Sequence, residues 1–178
     1  MSVFTNPASA AGDHAKAYVA AVLDLLGGQD PMVVLRNTPP VLHRTLNELS
    51  ASQISQPEAP GKWSVGEVMA HLADAELVWS YRIRMVLAHD RPEVTGYDQD
   101  LWADRLRYRQ VDPQEAVACF TVLRNANLRL LAQATEADLK RVGVHAERGE
   151  ESLAHMIRLD AGHDLVHLRQ LERIRLST

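Results

Sequence analysis

Three histidines carry the chemistry this sequence offers. His71 lies in Trp63-Ser64-Val65-Gly66-Glu67-Val68-Met69-Ala70-His71-Leu72-Ala73-Asp74, and His163 and His167 lie in Gly162-His163-Asp164-Leu165-Val166-His167-Leu168-Arg169-Gln170. On an α-helix, residues four apart stand one turn apart on the same face, so His163 and His167 can chelate one metal ion from a single helix. A third imidazole, brought in by another helix, leaves a divalent ion with open coordination positions, which is how catalytic metal sites are built. Spacing alone is weak support. Eight histidines scattered at random over 178 residues give such a pair about one time in three, and this pair lacks the glutamate that makes His-Glu-x-x-His more specific. The competing reading is a set of core histidines, each hydrogen-bonded to protein.

The elements that must position these residues read as helices. Apolar residues from Ala15 to Leu26 form a first short helix, ended by Gly27-Gly28. Asp30 is an N-cap with Pro31 at the first helical position. The stripe Val34, Leu35, Thr38, Val41, Leu42, Thr45, Leu46, Leu49 has helical spacing, but Pro39-Pro40 should break it, so the main helix is expected from about Thr38. Ser50 to Gly61 reads as a loop. Ser64 and Glu67 make a capping box that opens a helix to about Asp90, with His71 on its inward stripe. Arg91 to Gln110 is an irregular connection with one short helix near Asp100 to Leu106, and long irregular stretches tend to be functional. Asp112-Pro113 starts a further helix to about Ala134. One turn is expected at Thr135 to Leu139, then a loop through Gly143, His145 and Gly149, then a last helix from Glu151 to Arg175. Its stripe, Ala154, Met156, Leu159, His163, Val166, His167, Gln170, Ile174, faces both paired histidines inward. The fold class is therefore all-α: a four-helix bundle over residues 30–178, after an N-terminal segment 1–29 with a short helix, and with a further short helix in the middle connection.

Placement on inward stripes strengthens the metal reading, because two buried imidazoles at i,i+4 need partners for their nitrogens and one ion serves both. Composition narrows the function classes. The chain is 46% hydrophobic and 24% charged, with a formal net charge of −4, so a general nucleic-acid binder is not expected. No run approaches the roughly 20 apolar residues that span a bilayer, and Met1 to Lys16 lacks the pattern of a secretory signal. The single cysteine, Cys119, forms no intramolecular disulfide and fits a reducing cytoplasm. Its neighbours Val117, Phe120 and Leu123 place it on a buried face as a structural thiol.

Taken together, Trp63-Ser64-x-x-Glu67-Val68-x-x-His71-Leu72-x-Asp74, His145-x-x-x-Gly149 and His163-x-x-x-His167-Leu168-x-Gln170 resemble the DinB/YfiT-like superfamily of metal-binding four-helix bundles. The resemblance spans about residues 30 to 175. It implies a three-histidine site with His71, His163 and His167 as ligands of zinc or nickel and solvent in the remaining positions. It also implies a homodimer, and an activity among those of bacillithiol S-transferases, mycothiol-dependent enzymes or metal-dependent hydrolases.

Three neutral imidazoles leave an ion its full +2 charge, which can lower the pKa of bound water to about 7 or deprotonate a bound thiol. The first route is hydrolysis. The second is transfer of a low-molecular-weight thiol, such as bacillithiol, to an electrophile, and the resemblance favours it. Hydrolysis calls for a general base, for which Asp74, Asp160 and Asp164 are candidates. Asp74 and Asp160, each three residues from a histidine, could equally orient its ring, whereas Asp164 is expected to be a solvent-facing charge. Gln170, near His167 on the helix, is a candidate to hydrogen-bond a ligand. Tyr97, Trp102 and Trp79 are candidate pocket walls, with Trp79 the most core-like. Arg82, Arg84, Arg105, Arg107 and Arg109 are candidate carboxylate receptors, and His145 and Glu147 could approach the site. His14, His43, His89 and His155 read as surface or packing histidines. A non-catalytic metal-binding module and a purely structural bundle are the alternatives to an enzyme.

Overall fold

The computed structural model describes residues 13–177, with side chains from Ala15 to Leu176. The reading of residues 1–16 as lacking an export signal falls mostly outside the described residues, as does the side chain of His14. The helices are α1 (Asp13–Leu26), α2 (Pro31–Glu48), α3 (Ala51–Ser55), α4 (Val65–Ala88), α5 (Gln99–Arg105), α6 (Pro113–Leu131), α7 (Glu136–Leu139) and α8 (Leu153–Ser177). Their starts follow the capping chemistry of the sequence. The Asp30 side chain accepts the Met32 N–H at 2.8 Å, the Asp112 side chain accepts the Gln114 N–H at 2.9 Å, and Ser64 and Glu67 cap one another's backbone. Among the described residues, no single helix is long and apolar enough to cross a membrane.

α2, α4, α6 and α8 form the four-helix bundle, in a closed ring of packed pairs: α2 on α6, α6 on α4, α4 on α8 and α8 on α2. Successive bundle helices α2 and α4 therefore lie across a diagonal, as do α6 and α8. α1 packs along the outside of α8, where Gly162 allows the two backbones to meet. A Cβ there would stand 2.6 Å from the Val22 carbonyl oxygen.

Two apolar clusters fill the ends of the bundle. One holds Val22, Leu35, Ile83, Val86, Leu153 and Met156, the other Leu42, Leu46, Met69, Phe120, Leu171 and Ile174. Between them every bundle helix turns polar on its inner face, at Thr38, His71 and Glu76, Arg124 and Asn127, and Asp160, Asp164 and His167, all buried.

Arg124 of α6 is the hub of this layer. It donates to both carboxylate oxygens of Asp164, to Glu76 at 2.7 Å, to Asp160 at 3.4 Å, and to the Leu35 carbonyl at 3.1 Å. One guanidinium thus ties all four bundle helices. The same contact explains why Pro39-Pro40 does not end α2. A proline at 39 has no N–H for the Leu35 carbonyl, and Arg124 supplies the missing donor. The carbonyl left by Pro40 belongs to Arg36, an exposed residue within reach of water. The expected helix start near Thr38 is corrected accordingly: α2 runs unbroken from Pro31.

Three further expectations are corrected. The segment through Gly143 and His145 is not an open loop but a hairpin, β2 (Val142–His145) and β3 (Gly149–Ser152), and β1 (Glu93–Val94) of the middle connection pairs in parallel with β2. The small sheet closes one end of the bundle. There Arg141 donates to the Val86 and His89 carbonyls at 2.8 and 2.7 Å and so satisfies the C-terminus of α4. The loop from Ser50 carries the short helix α3. Cys119 is exposed, because the buried face of α6 runs through Ala116, Val117, Phe120, Arg124, Asn127 and Leu131 and position 119 lies off it.

Candidate metal centre

The three histidines meet. His71 arrives on the second turn of α4, set in depth by the Ser64 cap, and His163 and His167 stand one turn apart on α8. One ring nitrogen from each lies within 4.8 Å of the others, and the Nε2 atoms of His71 and His163 are 3.2 Å apart. Two nitrogens held at 2.0–2.1 Å by a tetrahedral ion stand about 3.3 Å from each other, so this pair already has the separation of two ligands. His71 and His167 are buried and His163 is half-buried.

Burial sets their protonation. It pushes His71 and His163 well below the ordinary imidazole pKa, with neighbouring imidazoles adding to the effect. It lowers His167 to about 4, against the opposing hydrogen bond to Gln170. All three are therefore neutral at pH 7, each with a lone pair to offer. His167 Nδ1 lies 2.9 Å from Gln170 Oε1. The amide oxygen accepts the Nδ1 proton, which leaves Nε2 as the bare nitrogen. His71 packs against Trp63 with ring centroids 4.9 Å apart, and its Nδ1 has no hydrogen-bond partner among the described residues. A donor set of imidazole nitrogens suits a divalent first-row transition-metal ion.

The carboxylates sit differently from the expectation. Asp74 does not hold His71 but accepts the Tyr108 hydroxyl at 2.7 Å, which fixes the turn after α5. Asp164 is not a solvent-facing charge. It is buried, clamped by Arg124, and accepts the Thr38 hydroxyl at 2.6 Å. Asp160 also belongs to the Arg124 cluster, and burial drives its pKa well above the carboxylate range despite Arg124. Arg124 and Glu76 stand outside the expected site residues. Arg124 carries a signal in the sequence: with Asn127 it occupies the i+4 and i+7 positions from Phe120, polar residues on an apolar stripe.

Two cavities reach the histidines. The larger, about 800 Å³, is lined by Trp63, Gln99, Arg107, Arg109, His167 and Gln170 among others. The smaller, about 100 Å³, is lined by Trp79, Arg82, Tyr97, Gln99, His145 and His163 among others. His167 faces one and His163 the other, and Gln99 belongs to both walls. Of the remaining aromatic and arginine candidates, Trp102 stacks on Tyr97 at 4.4 Å and Arg109 pairs with Glu67 at 3.0 Å. Arg84 is bound to Asn127 and the Ser80 carbonyl, and Arg105 is an exposed partner of Asp104.

The comparisons agree with this architecture. Residues 35–171 match the model of the DinB superfamily. A Bacillus licheniformis protein provisionally named a metal-dependent hydrolase is 28% identical over 139 residues, 78% of this chain and 79% of its own length. YfiT of Bacillus subtilis, with the same provisional name, is 26% identical over 144 residues, 79% of this chain and 81% of its own. The solved structure of YfiT, described as a four-helix bundle of unusual topology, superposes with a TM-score of 0.72 at 22% identity, covering 96% of this chain and 93% of that one. The order of the bundle helices, the two histidine motifs and the match over residues 35–171 lead to one statement: this chain belongs to the DinB superfamily.

Proposed function

We propose that His71, His163 and His167 hold one divalent ion, zinc or nickel, and that the protein is an enzyme that transfers a low-molecular-weight thiol to an electrophile. The observation that carries the reading is a centre of three neutral imidazoles with no carboxylate among them. An ion held there keeps its full +2 charge and supplies the field that makes a bound thiol or water nucleophilic. The chain's own residues divide the rest of the work. Gln170 fixes the His167 tautomer, Trp63 shields His71 from water, and the two cavities give two reactants separate approaches to the same centre. Two approaches suit a transfer in which a thiol and an electrophile must both reach one centre.

Hydrolysis is the second reading, supported by the provisional names of the relatives. Asp74, Asp160 and Asp164 are each engaged elsewhere, so a hydrolytic water would rely on the ion for its activation. A screen of the purified protein separates the two. Bacillithiol, mycothiol and glutathione are offered with alkyl halides and epoxides, and ester and amide substrates are offered without thiol. Thiol consumption that stops on chelation supports transfer. Ester or amide cleavage without thiol, with no thiol consumed, supports hydrolysis and overturns transfer.

A further inference from the structure

Arg82 is a buried cation with no ion-pair partner among the described residues. Its relative exposure is 5%. Among the described residues its one hydrogen bond runs from Nη2 to the Thr95 carbonyl at 2.6 Å, and its Nε has no acceptor. The guanidinium lies over the Trp79 ring at 5.2 Å. The carboxylates that act on it from a distance, Glu151 and Asp160, are committed to Arg148 at 2.6 Å and to Arg124 at 3.4 Å. A buried guanidinium left this way is costly unless an anion joins it.

The same cavity holds a second unmet donor. His145 is 1% exposed. Its Nδ1 accepts the Glu147 N–H at 3.2 Å, so the proton of the neutral ring is on Nε2, and that N–H has no acceptor among the described residues. Burial lowers the His145 pKa to about 4, with Arg148 and Arg82 adding to the effect, so the ring stays neutral. Gly96 makes room for it, since a Cβ there would lie 3.3 Å from His145 Cε1. An arginine with an unmet Nε–H and a neutral imidazole N–H without an acceptor stand beside His163, on a wall that also carries Glu147 and the Glu151-paired Arg148. The two open donors ask for a group that only accepts, and the arginine for one that carries negative charge.

We propose that the cavity walled by Arg82, His145 and His163 is a carboxylate subsite, and that the electrophile brought to the histidine centre carries its acid group there. A volume of about 100 Å³ suits a carboxylate and one or two carbons, while the rest of the molecule extends toward the histidines. Arg82 gives the charge and the fork that matches a planar carboxylate. His145 gives direction. The substrate assignment rests on the proposed function, but the binding of the carboxylate does not need the metal.

The test uses the full chain stripped of metal by chelation, with acetate as the probe, acetamide as its neutral counterpart and inorganic phosphate as the competing oxyanion. Nitrogen-15 spectra follow the Arg82 side-chain Nε–H and the His145 ring. Acetate is expected to shift both signals saturably and to raise the melting temperature, and acetamide to do neither. Arg82→Gln is expected to fold, since it removes an unpaired buried charge, and to weaken acetate binding at least tenfold. His145→Phe keeps the ring's shape and is expected to weaken it less. Acetate shifts that persist unchanged in Arg82→Gln, or an absence of shifts in the wild type, overturn the subsite. Tighter binding of phosphate than acetate overturns its assignment to carboxylates. Metal content is measured separately: a protein that binds acetate through Arg82 but holds no metal keeps this inference and loses the proposed function.

Discussion

Replacing Arg124 with methionine tests whether the polar layer holds the bundle, and with it the histidines, in place. Methionine fills much of the same volume without the charge. The variant leaves Glu76, Asp160 and Asp164 buried with no cation, removes the donor that satisfies Leu35 beneath Pro39, and unties α4 from α8. Breaking one partner out of a buried ion pair costs about 3–5 kcal/mol, a large part of the about 5–15 kcal/mol that stabilises an ordinary domain. At about 2–4 °C per kcal/mol for a chain of this size, the melting temperature should fall by about 6–20 °C.

The loss should also depend on pH. Without Arg124 the folded-state pKa values of Glu76 and Asp160, already raised by burial, rise further. A carboxylate whose folded pKa exceeds its unfolded one takes up a proton on folding, so stability is highest below the unfolded pKa and falls as pH rises through the folded one. The difference between variant and wild type should therefore be larger at pH 8 than at pH 5. Thermal and urea melts at both pH values measure it. Adding Asp160→Asn and Asp164→Asn to the variant should restore part of the loss at pH 8. A deficit under about 2 °C at pH 8, or one equal at both pH values, would refute the reasoning.

Three other outcomes follow from particular contacts. Asp160→Asn in the otherwise intact protein should stabilise it at pH 8 relative to pH 5, by the same sign argument, and urea melts showing equal effects at both would count against a raised pKa. Gly162→Ala drives a methyl into the Val22 backbone and should cost about 1–3 kcal/mol or more; amide exchange should quicken along α1, and unchanged protection there would contradict the close packing of α1 on α8. Gln170→Leu removes the acceptor that orients His167 and should weaken metal affinity about 10- to 100-fold, as read by competition with a chromophoric chelator, while an unchanged affinity would mean that the hydrogen bond does not set the ligand.

The histidine cluster was legible because helical periodicity is strong local information. His71 sits on the inward stripe opened by the Ser64 cap, and His163 and His167 share one face by spacing alone. What the sequence reading got wrong depended on partners far away in the chain. Pro39-Pro40 looks like a helix break until Arg124, 85 residues later, takes up the Leu35 carbonyl. Asp164 looks like a surface charge until Arg124 and Thr38 are seen to enclose it. Asp74 reads as a candidate base or a support for the His71 ring because it lies three residues away, yet the hydrogen bond it makes is to the Tyr108 hydroxyl. The hairpin at Val142 to Ser152 carries only a weak alternation, and its stability comes from pairing with β1 and from resting on the end of α4, neither of which a local pattern can announce.

Three imidazoles that meet at one point should hold one ion. The direct measurement is elemental metal analysis of the purified protein beside its His71→Ala and His163→Ala variants, with folding checked by circular dichroism. The geometry predicts about one divalent metal ion per chain in the wild type and its loss from both folded variants. A wild type with no stoichiometric divalent metal, and variants whose content is unchanged from it, would mean that the three histidines hold no ion.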